Sequence, residues 1–221
     1  MPKAPMDEAQ IQIKKEEILD IAAEIIMEEG YQNLSMRKIG SKIGMAAANL
    51  YNYYSNKDEL NIAIRTRSGK IIFDVLENAY LKEGTIDEKF RFMFRAYIRF
   101  GMQQPNYYAI MFDMPTPKYA DYIDTPLERL AIKEKESSEK SFAFLDRCMA
   151  DLTNEGYHLP ENTQVLLIMI WGQLHGLVSL YNNKLISEIN NTPEKMIEEA
   201  AALAYEILIR FIDSGALSED L

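Results

Sequence analysis

An all-α fold is predicted by three features of the sequence. Apolar residues recur at i, i+3, i+4 and i+7, the spacing that gives a helix one buried face. Gly- and Pro-containing breaks interrupt the pattern at helix-length intervals. No stretch reads as a strand and no internal repeat is present. The breaks mark about nine helices. Three of them form an N-terminal domain over residues 1–60, and the rest form a helical domain over residues 61–221.

Taken in order, residues 1–10 hold two prolines and little apolar material, and are expected to form a frayed arm. The first helix runs from about Gln10 to Glu29. Ile18, Ile21, Ala22, Ile25 and Ile26 form its apolar stripe, and Gly30 ends it. Ser35 caps a second helix whose buried stripe is Met36, Ile39 and Ile43. Gly44 stops that helix where a left-handed residue is needed. A third, from Ala47 to about Tyr54, is anchored by Leu50. Ser55 and Asp58 stand three apart like the ends of a capping box for the next helix. That helix runs unbroken to about Lys82, which makes it a rigid arm between the two domains.

Gly84-Thr85 is a break. Helices follow over about Ile86–Gln103 and Asn106–Phe112, with Pro105 suited to the first turn of the second. Residues 113–126, with three prolines, read as a loop. A long helix covers about Leu127–Asn154, and a second break spans Gly156 to Pro160. The last two helices cover about Asn162–Asn182 and Pro193–Asp213. The first is apolar almost all round, as core or interface helices are. The second sets Ile197, Ala201, Ala204, Leu208 and Phe211/Ile212 along one face.

Helix, tight turn, helix and a capped further helix is the layout of a helix-turn-helix DNA reader. Charge agrees with it. Between Ser35 and Lys57 lie Arg37, Lys38, Lys42 and Lys57 and no acidic residue, although the chain carries 24 Lys+Arg against 34 Asp+Glu. DNA phosphate is a local reason for such a patch, and a small solvated helix pair is the alternative. Tyr51, Tyr53 and Tyr54 favour the first, since a Tyr hydroxyl at that helix end can reach a phosphate oxygen.

Three runs within Ile18–Leu60 carry a resemblance to a known family: Ile39-Gly40-Ser41-Lys42-Ile43-Gly44-Met45, Leu50-Tyr51-Asn52-Tyr53-Tyr54 and Lys57-Asp58-Glu59-Leu60. Together they resemble the tetracycline-repressor (TetR) family of transcription regulators. The run Trp171-Gly172-Gln173-Leu174-His175-Gly176 is similar to the C-terminal Trp-x-x-x-His-Gly motif of one subgroup. Three positions depart from the family pattern: Ala46 replaces a Ser or Thr, Ala48 a Gly or Pro, and Tyr54 a Phe. The resemblance implies a homodimer joined through the last two helices, a palindromic double-stranded DNA operator, and a C-terminal domain enclosing a small-molecule effector. It also sets Ala46, Ala47, Ala48 and Asn49 at base edges. Asn49, the one of these with a donor and an acceptor, can pair bidentately with adenine or make a water-mediated or phosphate contact. Ser35, Arg37, Tyr51, Tyr53 and Lys57 are expected on phosphate.

Composition narrows the remaining classes. Cys148 is the only cysteine, so no intrachain disulfide forms and a reducing compartment fits. With His158 and His175 it does not make a zinc site, and no cofactor is expected. No run of 18 uncharged apolar residues is present and the N-terminus lacks a signal-peptide core, so a cytoplasmic protein without membrane helices is expected. No nucleophile–base pair, phosphate-cradling Gly-rich loop or spaced carboxylate pair points to an enzyme. Basic and acidic residues nearly balance over residues 1–70, so the acidic excess lies beyond them.

Two constellations remain. Phe94, Tyr97, Tyr108, Met111 and Phe112, with Phe90 and Tyr107, can line an apolar cavity or pack as ordinary core, and the family resemblance favours the cavity. Trp171 and His175, at i and i+4, share a helix face. They form a pocket wall with His175 as a hydrogen-bonding partner, or a seam where Gly172 and Gly176 let helices approach. An acidic C-terminal domain favours neutral or cationic effectors over anionic acyl-coenzyme A thioesters. The resulting expectation is a ligand-responsive repressor. The rival is a DNA-binding regulator without a small-molecule ligand, controlled by a protein partner.

Overall fold

In the computed structural model, which describes residues 7–214, every regular element is helical. Ten α-helices follow in order: α1 Glu8–Glu29, α2 Met36–Ile43, α3 Ala47–Leu50, α4 Lys57–Tyr80, α5 Ile86–Gln103, α6 Pro105–Phe112, α7 Glu128–Asn154, α8 Thr163–Asn182, α9 Leu185–Ile189 and α10 Pro193–Asp213. Short 3-10 turns cover Tyr31–Asn33 and Tyr119–Tyr122.

Most boundaries agree with the sequence reading, and the departures have local causes. Within the expected arm over residues 1–10, Asp7 and Gln10 form a reciprocal capping box that starts α1 at Glu8. Residues 1–6 lie outside the described residues. The third helix ends at Leu50 rather than Tyr54. The N–H groups of Asn52 and Tyr53 bond to carbonyls three residues back, on Asn49 and Leu50, and this tighter winding drops Tyr54 into the core. A 3-10 turn lies within the expected loop at 113–126. The short α9 was not expected. It follows Lys184, which takes a left-handed conformation at φ 62°.

Chain contacts group the molecule into two compact units: Met1–Gly69 with Asn106–Ser137, and Lys70–Pro105 with Ser138–Leu221. The sequence reading set the division at residue 60, whereas α4 contributes to both units without a break. In the first unit, Ile18, Ile25, Ile26, Ile39, Leu50, Leu60 and Ile64 are fully buried in one cluster, which Tyr107 and Ile110 of α6 complete. Arg67 reaches Glu16 (2.9 Å), Asp20 (3.0 Å) and the Tyr107 hydroxyl (2.7 Å), tying α4 to α1 and α6. Nearby, the buried Asn61 amide donates to the Pro117 carbonyl (2.9 Å) and the Tyr122 hydroxyl (3.0 Å).

In the second unit α5 packs against α8 and α10. Its core holds Phe94, Tyr97 and Phe100 of α5, Leu174 and Val178 of α8, and Ile197, Ala201, Tyr205, Ile209 and Ile212 of α10. The buried face of α10 is therefore rotated from the expected one: Tyr205 and Ile209 replace Ala204 and Leu208, and Phe211 is exposed. By length and composition alone α8 is apolar enough to cross a membrane, a test that the core helix of a helical bundle also passes. Within this unit its Leu166, Ile170, Leu174 and Val178 are buried.

Candidate nucleic-acid interface

The reader is built on one close approach. Gly40 of α2 faces the carbonyl oxygen of Met45, which would lie 2.4 Å from any added Cβ, so only glycine lets the chain fold back at this point. Gly44 takes φ 68° and ends α2, and the Met45 N–H returns to the Gly40 carbonyl (2.8 Å). The tight turn then launches α3, which Leu50 pins to the core with no exposed surface. Opposite that anchor, Ala46, Ala48, Asn49, Tyr51 and Asn52 are exposed, and Arg37 is exposed on α2. Ala47 and Tyr53 are half-buried. Ala46, Ala47, Ala48, Asn49, Tyr51 and Tyr53 therefore lie on or beside α3, whereas Ser35 and Arg37 belong to the start of α2 and Lys57 to the start of α4, with Ser35 and Lys57 half-buried.

Two of the four basic residues do not add to that face. Lys42 pairs with Glu28 (2.9 Å) and Glu24 (3.8 Å), and Lys38 pairs with Glu29, so both turn back onto α1. The Glu28 bond raises the Lys42 pKa and keeps the ammonium charged. Arg37 and Lys57 remain. Ser35 is the N-cap of α2, its hydroxyl accepting from the Lys38 N–H (3.3 Å).

The start of α4 differs from the expected cap. Asn56, not Ser55, accepts from the Glu59 N–H (2.8 Å), and the Glu59 carboxylate accepts from the Ser55 N–H (2.7 Å) and hydroxyl (2.5 Å). Asp58, displaced from the capping role, instead accepts a hydrogen bond from the Tyr31 hydroxyl. Burial, followed by that bond to Asp58, raises the Tyr31 pKa, so the phenol stays neutral. The Lys57 ammonium lies 4.8 Å from the centre of the Tyr31 ring. The sequence reading missed Tyr31 and Asn56. Asn56 was legible, since Asn caps helices as well as Ser does. Tyr31 carries no local signal, because its partners are more than 25 residues away.

Residues 18–64 match the family described as bacterial regulatory proteins, tetR family, and residues 90–204 match the tetracyclin repressor-like C-terminal domain. The chain belongs to the TetR family. Among its relatives is an uncharacterised HTH-type transcriptional regulator, YobS, of Bacillus subtilis (strain 168). It is 24% identical over 147 residues, which cover 65% of this chain and 76% of the relative. The fatty acid metabolism regulator protein of the same organism is 33% identical over 72 residues, covering 30% of this chain and 37% of its own. The fatty acid degradation regulator FadR from Bacillus halodurans shares the fold, with a TM-score of 0.67 at 18% identity, over 93% of this chain and 97% of that one.

In this TetR-family regulator the departures from the family pattern have visible consequences. Ala46 occupies the N-cap of α3 and makes no side-chain cap bond. Tyr54 keeps its ring in the core at 6% exposure, as a Phe would be placed. The predicted pocket residues fall into both compact units. Tyr108, Met111 and Phe112 belong to the first, where Tyr108 is fully buried with its ring edge-on to Phe112 (4.9 Å). Phe94, Tyr97, Trp171 and His175 belong to the second. There Trp171 donates to the Tyr97 hydroxyl (2.9 Å), and Phe94 lines a groove of about 570 Å³ with Arg91, Arg95, Glu198 and Tyr205. Among the described residues, Gly172 and Gly176 do not form a seam against another helix, since a Cβ at either would meet nothing within 4 Å. A second cleft, of about 710 Å³, is bordered by Asp87, Asp151, Glu155, Asp213, Tyr80 and Tyr157, with Lys89 also present. Among the described residues, no group of three or more His, Cys, Asp or Glu side chains is placed to hold a metal ion.

Proposed function

We propose that this regulator is a repressor that grips a palindromic operator as a homodimer and lets go when a small apolar or cationic effector binds. The observation that carries the reading is that Arg37, Ala46, Ala48, Asn49 and Tyr51 are exposed while Leu50, which anchors α3, has no exposed surface. A short helix held this firmly can present an Asn amide and a methyl surface to a major groove. The dimer is supported by apolar side chains left uncovered on the last two long helices: Val165, Ile168 and Met169 on α8, and Leu203, Ile207 and Phe211 on α10, each at least 45% exposed. The open sides of Gly172 and Gly176 continue the α8 stripe, and a second copy packed as a four-helix interface would cover it.

The effector class rests on charge. The cleft bordered by Asp87, Asp151, Glu155 and Asp213 is electronegative, which suits cations and disfavours thioesters of coenzyme A. Two relatives are named for fatty acid metabolism or degradation, so a long-chain acyl-coenzyme A belongs in the ligand panel. Tight binding of it would overturn the charge argument. A second reading, regulation by a protein partner with no small ligand, is favoured by the fully buried Tyr108, which packs as core. Thermal shifts across the panel separate the two readings.

The deciding experiment is selection from random duplexes at about 0.15 M salt, near physiological ionic strength. A palindrome with half-sites about 34–36 Å apart, or a multiple of that, is expected. Recovery of no preferred sequence by a folded dimer would remove the operator reading.

A further inference from the structure

Lys57 occupies a position that a helix disfavours. It is the first residue of α4, where the aligned peptide dipoles and unpaired N–H groups repel a cation. Asp58 and Glu59 follow in the same turn, but both carboxylates are engaged elsewhere, with Tyr31 and Ser55. The ammonium is held instead by the face of the Tyr31 ring, 4.8 Å from its centre, where the ring quadrupole is negative. Tyr31 itself cannot drift. It is 6% exposed within the cluster of Ile18, Ile39 and Leu60, and its hydroxyl is bound to Asp58.

A cation kept at a positive helix end and seated on an aromatic face is poised for an anion brought from outside. A ring attracts an ammonium without neutralising it, so the charge remains available to a phosphate. A carboxylate in the same place would cancel it, as Glu28 and Glu29 do for Lys42 and Lys38. We infer that Tyr31 is a positioning residue for DNA binding, its ring seating the Lys57 ammonium for a backbone phosphate while its hydroxyl locks the first turn of α4 through Asp58. The inference rests on the operator reading above.

The test is a salt titration of duplex binding by the full chain, using the recovered palindrome. Lys57→Ala should lower the slope of log affinity against log salt by about one unit. Tyr31→Leu should do the same and weaken binding by the same factor, with no further loss when combined with Lys57→Ala. Tyr31→Phe, which keeps the ring, should retain the wild-type slope. If Tyr31→Leu weakens binding at an unchanged slope, its role is structural only and the inference fails. It also fails if Tyr31→Phe flattens the slope as Tyr31→Leu does. An unchanged slope in Lys57→Ala removes the phosphate contact and the inference with it, while the operator reading stands. Absence of duplex binding by the wild type overturns both. Should Tyr31→Leu not fold, the wild-type complex decides by NMR. The Lys57 Hε protons, identified by their loss in Lys57→Arg, must stay shifted upfield by the ring current when DNA is bound, and unshifted protons refute the seat.

Discussion

Asn49 is exposed on α3 and brings an amide donor and an acceptor beside the methyl group of Ala48, while Tyr51 and Asn52 are exposed just beyond the helix. If it reads a base, Asn49→Ala should relax preference at one position in each half-site, by about 1–3 kcal/mol of discrimination. Repeating the duplex selection checks this, and uniform weakening at every position would move Asn49 to the phosphate group. A second residue-scale prediction needs no DNA. A Cβ added at Gly101 would lie 2.4 Å from Cγ1 of Val178, a short β-branched side chain with little freedom to turn away. Gly101→Ala should cost about 1–3 kcal/mol of stability by overpacking, and Val178→Ala in the same chain should recover part of it. Denaturant unfolding measures both. No motif reveals this contact in the sequence, because Gly101 and Val178 meet only when α5 packs on α8.

Among whole elements, α10 shows where periodicity reaches its limit. It carries apolar residues on more than one side, so a stripe of Ile197, Ala201, Ala204 and Leu208 is as regular as the one the core uses. Packing on α5 decides for Tyr205, whose hydroxyl reaches the Asp87 carboxylate (2.9 Å) and carbonyl (3.0 Å). Arg91 braces the same corner against Asp87 and Glu206. That choice leaves Leu203, Ile207 and Phe211 outside. Ile207→Glu should then convert a dimer to a folded monomer, read by light scattering, and an unchanged dimer would place the interface elsewhere. At the start of α4 the cap is Asn56, so Asn56→Ala should cost about 1 kcal/mol of stability in a thermal or urea melt. Asp58→Ala should act chiefly through Tyr31.

For the molecule as a whole, several acids are kept neutral by burial. Burial pushes the Cys148 thiol up from 9.0 to about 12, and raises Tyr107 and Tyr205 as well. Each raised acid holds its proton in the folded chain at a pH where the unfolded chain releases it. The stabilisation is complete below the unfolded pKa and is lost as pH rises through the folded one. The thermal midpoint should therefore hold up to about pH 9 and fall as pH climbs toward 12. A midpoint that stays flat across that window would mean these groups are solvated. Tyr107 also bears on where the reader ends. It is buried in the same cluster as Ile18 and Leu50, although it lies more than 50 residues beyond the helix-turn-helix.

The all-helical architecture, the stops at Gly30 and Gly44, the Leu50 anchor and the reader were legible in the sequence, because each is set by residues within a few turns of one another. The family resemblance, rather than spacing, singled out Arg37 and Asn49, and both are exposed. Tertiary structure alone decided that Lys38 and Lys42 turn to α1, that Tyr31 seats Lys57, that α6 completes the reader's core, and which side of α10 stays uncovered. The reason is physical. Charge pairing, ring contacts and burial depend on distance in space, and a side chain with several suitable partners in sequence takes whichever one the packing of helices brings near.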